Sequence, residues 1–327
     1  MKKNIIIFIT ILFVIGTHFF VFKDSVTDKQ KLTIAEVTHS VFYTPQYVAL
    51  AKGFFEDEGL DVEIITTPGA NNVTTAVLSK SADIGLSGLE TVLYINSGDS
   101  KDKMKAFAGL TKKDGSFIIT KEKHNNFTLN TLKGSHIIAG REGGMPALTF
   151  EYILNSNNID INKDVNFDTS IAFDAMKGAF LSNVGNVVTM FEPSATNMKK
   201  EGSGYISASL GEFTKDMPYT VYYSTEKFIE NNKSLLEKYT KAINKALKYT
   251  KETSNLELAK TIKKYFPDSK IDVIETSISR YKIIGIYREN VKINKEEIDL
   301  MYDVISNGMD LDEKLPYESL IYDKFFK

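Results

Sequence analysis

Between residues 32 and 224 the chain alternates short apolar runs with helical segments, and this alternation constrains its fold more than any other feature. The runs at 32–37, 62–66, 84–86 and 107–110 are too short for helices and rich in bulky apolar side chains, so they read as buried strands. After the first of them, Pro45 stands where the first turn of a helix has no use for an N–H. Tyr47, Leu50, Ala51, Phe54 and Phe55 follow at the i, i+3, i+4, i+7, i+8 spacing of one helical face, with Gly59 placed to end that helix. Asn71 or Asn72 can cap a second helix that carries Val73, Ala76, Val77 and Leu78. Strand, helix, strand, helix in units this short predicts an α/β fold, a mixed but mainly parallel sheet with helices on its faces.

A second series begins after Gly115. Strands are expected at 116–120, 137–139, 165–167, 187–190, 205–209 and 219–224, with a helix over 146–154 that presents Leu148 and Tyr152 on one face. Beyond residue 224 the chain turns helical and lysine-rich. Leu235, Leu236, Tyr239, Ile243, Ala246 and Leu247 form one apolar stripe, and Asn294-x-x-Glu297 predicts a capping box before a helix with Ile298, Met301, Tyr302 and Ile305. No internal repeat or low-complexity tract is evident in the sequence.

Composition narrows the function. The 327 residues suffice for two ordinary domains, and 43% of them are hydrophobic, enough for a sizeable core. Forty Lys and Arg against 42 Asp and Glu leave a net charge of −2, without the basic excess that marks a nucleic-acid binder. There is no cysteine, which excludes disulfides, thiolate metal sites, a cysteine nucleophile and lipid attachment through cysteine. His18, His39, His124 and His136 lack metal-ligand spacing, and no nucleophile elbow or phosphate loop is present. The expectation is a chain without metal, cofactor or catalytic centre.

The N-terminus sets the compartment. Met1, Lys2 and Lys3 precede an apolar stretch over 5–22, interrupted lightly by Thr10 and by Gly16-Thr17-His18. That is the layout of an export signal, and the 18 residues are close to the minimum of about 17 that span a bilayer. The two lysines favour a cytoplasmic N-terminus. Two outcomes stay open: an uncleaved helix anchoring the protein on the extracytoplasmic face of the membrane, or a cleaved signal and a periplasmic or secreted protein. Residues 24–31 are polar and read as a linker.

Candidate binding residues sit where strands hand over to helices. Phe42, Tyr43 and Tyr47 border the first such turn, where a flat ligand can stack on them, although Tyr47 also belongs to the apolar stripe of its helix. Asn71, in Gly69-Ala70-Asn71-Asn72, and Ser87, Gly88 and Glu90 lie at helix starts whose N–H groups can meet a polar ligand, or can serve as ordinary caps. In Arg141-Glu142-Gly143-Gly144-Met145-Pro146 two glycines allow close backbone approach at another helix start, making Arg141, Gly143, Gly144 and Met145 candidates. Phe191 and Glu192 follow a buried strand; an aromatic and a carboxylate there can stack on and accept hydrogen bonds from an amino-substituted heteroaromatic ring, or Glu192 can simply open a helix. Tyr219, at the head of the last strand in the second series, completes the set.

Three stretches carry a family resemblance. They are Tyr43-Thr44-Pro45-Gln46-Tyr47-Val48-Ala49-Leu50-Ala51-Lys52-Gly53-Phe54-Phe55 with the following Glu58-Gly59-Leu60-Asp61-Val62-Glu63, then Ser81-Ala82-Asp83-Ile84-Gly85-Leu86-Ser87-Gly88, then Leu132-Lys133-Gly134 with Gly143-Gly144. The chain resembles the solute-binding proteins of ABC importers, in the branch shared by alkanesulfonate, taurine, nitrate and thiamine-pyrimidine binders and by the pyrimidine-synthase enzymes. The resemblance implies a two-lobed periplasmic-binding-protein-like fold of type II, with lobes at 32–113 plus 219–327 and at 114–218, after a signal or anchor segment and linker at 1–31. It implies a small nutrient in the cleft between lobes that close by hinge motion, and as partners an ABC permease, its ATPase and the membrane through the N-terminal segment, with the protein itself a monomer. A carboxylate at 192 points to a planar, donor-bearing ligand such as an aminopyrimidine thiamine precursor. A sulfonate, taurine or nitrate would instead require N–H donors and Arg141, with Glu192 turned away. The enzyme branch carries a cysteine-rich, iron-linked segment that this sequence lacks. A membrane-tethered sensor would need a signalling partner.

Overall fold

The computed structural model describes residues 29–311 and 314–326. The export segment expected at 5–22 lies outside the described residues. The described residues form ten strands: β1 (Gln30–Glu36), β2 (Leu60–Thr66), β3 (Ile84–Ser87), β4 (Met104–Thr111), β5 (Phe117–Thr120), β6 (His136–Ile138), β7 (Asn166–Asp168), β8 (Val187–Met190), β9 (Tyr205–Ser209) and β10 (Thr220–Thr225). They assemble into two five-stranded sheets, ordered β2-β1-β3-β10-β4 and β7-β6-β8-β5-β9.

The two sheets repeat one plan. In each, the first strand of the unit lies between the second and third and runs parallel to both: β1 with β2 and β3, β6 with β7 and β8. Each then takes one antiparallel strand, β10 against β3 and β4 in the first sheet, β5 against β8 and β9 in the second. The chain therefore passes between the sheets twice, at 112–116 and at 210–219. Strand β3, parallel to β1 and antiparallel to β10, is buried along its whole length, as expected of a central strand covered on both faces.

Among the described residues, nine helices of seven residues or more cover the sheets: α1 (Thr44–Ala51), α2 (Ala70–Leu78), α3 (Glu90–Ser97), α4 (Met145–Ser156), α5 (Ser194–Lys200), α6 (Lys233–Glu252), α7 (Asn255–Ile262), α8 (Ile271–Ile284) and α9 (Lys295–Gly308). The predicted stripe of α6 is buried, and it packs on α1, with the Tyr239 ring stacked 5.1 Å from Phe55. The C-terminal helices touch both halves of the molecule. Helix α8 contacts α5 and α9 contacts α4, both of which belong to the second series. No helix among the described residues is long and apolar enough to cross a membrane.

Two local expectations are corrected. The helix expected to run from Pro45 to Gly59 breaks after Ala51, because Gly53 takes a left-handed φ of +70° and restarts the chain as the short turn Phe54–Asp57. The capping box at Asn294 does not form. The Glu297 carboxylate accepts from Arg288 Nη2 at 2.6 and 2.9 Å and from the Asn294 side-chain amide at 3.0 Å, so it joins a nearly buried guanidinium to the helix start without capping a backbone N–H.

Candidate functional site

The parallel strands of both sheets point their C-terminal ends at one cavity of about 590 Å³. Its first wall is built from the chain leaving β1 (Val37, Thr38), β2 (Pro68 through Asn72) and β3 (Ser87, Gly88, Glu90). The facing wall comes from the chain leaving β6 (Arg141, Gly144 to Pro146), β7 (Thr169 through Asp174) and β8 (Phe191). This crevice outside the carboxyl ends of parallel strands is where open α/β sheets place ligands.

An aromatic cluster lines its floor. The buried Phe42 ring lies 5.4 Å from Tyr43, 5.2 Å from Phe191 and 5.9 Å from Tyr219, and Phe173 lies 6.0 Å from Phe191. Gly115, in the first crossing between sheets, makes room for this arrangement: a Cβ there would fall 2.2 Å from the Phe42 ring. Tyr219 donates its hydroxyl to Asp114 Oδ2 at 2.8 Å. Burial raises the Asp114 carboxyl to about 6, against the opposing pull of hydrogen bonds from Ser116 and Tyr219.

Three helix N-termini open on the cavity, since Ala70, Glu90 and Met145 begin α2, α3 and α4 and all line it. Their first-turn N–H groups have no intrahelical partner, so the wall carries donors. Glu90 is the exception in charge. Its carboxylate lies over Gly88, where a Cβ would meet Oε2 at 1.8 Å, and Oε2 has no hydrogen-bond partner. Burial raises Glu90 to about 7, while backbone N–H groups of Glu90 and Met145 and the charge of Arg141 pull it down. Arg141, half-buried on the facing wall, donates Nη1 to the Glu142 carbonyl at 2.9 Å.

Of the sequence candidates, Phe42, Tyr43, Asn71, Ser87, Gly88, Glu90, Arg141, Gly144, Met145, Phe191 and Tyr219 are brought together around the cavity. Three are not. Tyr47 is buried behind the cavity, donating its hydroxyl to Glu36 at 2.7–2.8 Å in a cluster that Gln46, Thr66 and His39 complete. Its place in the helix stripe decides its role. Gly143 takes a φ of +67° to turn the chain, and its carbonyl accepts from Tyr94 at 3.0 Å. Glu192 is already engaged. Its Oε2 accepts from the Thr196 N–H at 2.8 Å, and its Oε1 accepts from Thr196 Oγ1 at 2.8 Å and Arg280 Nη1 at 2.6 Å. With both oxygens held by the first turn of α5 and by α8, this carboxylate does not line the cavity.

The stretch from Thr169 to Asp174 escaped sequence reasoning. It follows β7, and Asp168 Oδ1 folds it by accepting from the Ser170 N–H at 2.9 Å and its hydroxyl at 2.6 Å. One signal existed: β7 pairs in parallel with β6, so its exit loop belongs at the same sheet edge as Arg141.

Residues 41–254 match the model of the family described as NMT1/THI5 like. The chain belongs to this family. All three motif stretches fall inside that match. The chain is also 40% identical over 291 residues to YtlA of Bacillus subtilis (strain 168), named as a binding protein, across 89% of this chain and 87% of the relative. Among solved structures, it is similar to the alkanesulfonate-binding protein SsuA from Xanthomonas axonopodis pv. citri bound to MOPS. That match has a TM-score of 0.69 and 14% identity over 87% of this chain and 96% of the other. The periplasmic nitrate-binding protein NrtA from Synechocystis PCC 6803 matches with a TM-score of 0.64 and 18% identity over 82% and 74% of the two chains. At such identities the likeness concerns the fold, and the fold is that of the periplasmic binding proteins.

Proposed function

We propose that this member of the NMT1/THI5-like family is the solute-binding protein of an ABC importer, and that it captures a small planar nutrient with N–H donors, of the aminopyrimidine kind. The observation that carries the ligand class is the aromatic floor of Phe42, Tyr43, Phe191 and Tyr219 in a cavity of about 590 Å³. That volume is within the range of small-molecule sites, and π-faces on the floor favour a flat ring. The importer class is supported by the family, by the relative named as a binding protein and by the folds that match.

In this reading the lobes comprise 32–113 with 219–327 and 114–218, and they close on the ligand about the two crossings. The protein is exported, held at the extracytoplasmic face by its N-terminal segment or released by cleavage, and acts as a monomer that hands its ligand to a permease and its ATPase. Its role is capture and delivery without chemistry. A sulfonate or nitrate ligand is the second reading, favoured by the three helix N-termini and Arg141. The negative charge available to Glu90 weighs against it.

A thermal-shift panel tests the choice, with aminopyrimidine thiamine precursors, thiamine, taurine, alkanesulfonates and nitrate. A ligand at 100 times its Kd stabilises the folded state by about 2.7 kcal/mol. Aminopyrimidines are expected to raise Tm. A rise with sulfonates or nitrate alone would overturn the ligand class.

A further inference from the structure

Four acidic side chains are fully buried among the described residues: Glu36, Glu90, Asp114 and Glu192. Three of them are satisfied. Glu36 accepts from Gln46, Tyr47 and Thr66, Asp114 from Ser116 and Tyr219, and Glu192 from Thr196 and Arg280. Glu90 alone keeps a carboxylate oxygen without a partner, and Glu90 alone of the four lines the cavity. A buried, unpaired acceptor costs folding free energy, so its retention in the cavity wall calls for a partner that arrives from outside.

We propose that Glu90 is the specificity-determining residue of the cavity, selecting ligands by charge: its free carboxylate oxygen accepts from an amino group or cationic edge and repels sulfonate, sulfate-like and nitrate anions. This rests on reading the cavity as the ligand site and deepens it, because it names the group that separates the two ligand classes. Apart from Asp174, an exposed carboxylate at the end of the facing wall, the remainder of the lining would suit an anion. Helices α2, α3 and α4 direct their N-termini at it, and Arg141 is the one cation among its described lining residues. Removing the negative charge at position 90 should therefore convert the preference rather than abolish binding.

The groups facing Glu90 are few. Arg141 and the Met145 N–H approach from the facing wall, Tyr94 lies one turn further along α3, and the hydroxyls of Tyr43, Tyr219 and Tyr223 complete the surround. Arg141 is the only one that carries charge near neutrality. Burial places the Glu90 carboxyl at about 7, so both of its protonation states are accessible near neutral pH. Anions should thus bind better at pH 6, where Glu90 is mostly neutral, than at pH 8.

The test is calorimetric titration of the full-length protein and of Glu90→Gln and Glu90→Asp with an aminopyrimidine and with an alkanesulfonate, at pH 6 and pH 8. Glu90→Gln should weaken the aminopyrimidine at least tenfold at pH 8 and strengthen the alkanesulfonate at least tenfold, with Glu90→Asp in between. The pH dependence of sulfonate binding should vanish in Glu90→Gln, and adding Arg141→Gln should reverse the sulfonate gain. If the wild type takes no aminopyrimidine yet Glu90→Gln gains the sulfonate, charge selection stands and the aminopyrimidine reading fails. If both ligands bind Glu90→Gln within twofold of the wild type, the proposal is overturned.

Discussion

Glu90 and Asp114 are carboxyls whose folded-state values, about 7 and about 6, exceed those of an unfolded chain. Each therefore stabilises the fold fully below about pH 4, and that contribution is lost as pH rises through 6 to 7. Replacing Glu90 by Gln removes a buried charge at high pH and nothing of the kind at low pH. Glu90→Gln should raise unfolding stability by about 1–3 kcal/mol at pH 8 and leave it nearly unchanged at pH 4. Urea midpoints at the two pH values check this, and an equal effect at both would mean that the carboxylate is not desolvated. The same scale shows what a sequence can say about a site. Phe42, Asn71, Ser87 and Arg141 were legible because each follows a strand whose parallel neighbours end beside it. Glu192 satisfies the same rule, and of its two readings the helix-opening one holds, with Thr196 as local donor and Arg280, 88 residues away, as a partner that no local pattern announces.

At the level of elements, the Glu192–Arg280 pair ties the first turn of α5 to α8, with Lys200–Asp272 as a second, exposed tie between the same helices. Glu192 is fully buried, whereas Arg280 is partly open to solvent. Arg280→Ala would leave the carboxylate buried with Thr196 as its remaining donor, and removal of one partner of a buried pair costs about 3 kcal/mol or more. An unfolding free energy lowered by that amount, read from denaturant titration, is the expected outcome; a change below about 0.5 kcal/mol would mean the pair is screened like a surface bridge. The strand and helix pattern was largely readable from apolar period and turn residues. What it missed were decisions made by other elements. The break at Gly53 needs a backbone conformation that no apolar stripe encodes, and Glu297 is engaged by Arg288 from outside its helix as well as by Asn294.

For the whole molecule, the same sheet plan used twice sets two walls of strand ends against each other, and the proposed closure would turn on the crossings at 112–116 and 210–219. Ligand contacts would then be divided between the walls, with Phe42, Tyr43 and Tyr219 on one side and Phe173 and Phe191 on the other. The family was legible in three motif stretches, and the match over residues 41–254 contains them all. The position of the free carboxylate was not, because which acid stays unpaired depends on packing across both halves. The most direct measurement is a titration of the full-length protein and Phe191→Ala with an aminopyrimidine. Loss of a stacking face should weaken binding about tenfold or more, equivalent to about 1.4 kcal/mol. Saturable, one-to-one binding that falls in this way is the expected result. An alkanesulfonate or nitrate that saturates the wild type while the aminopyrimidine does not, with Phe191→Ala unaffected, would contradict the account.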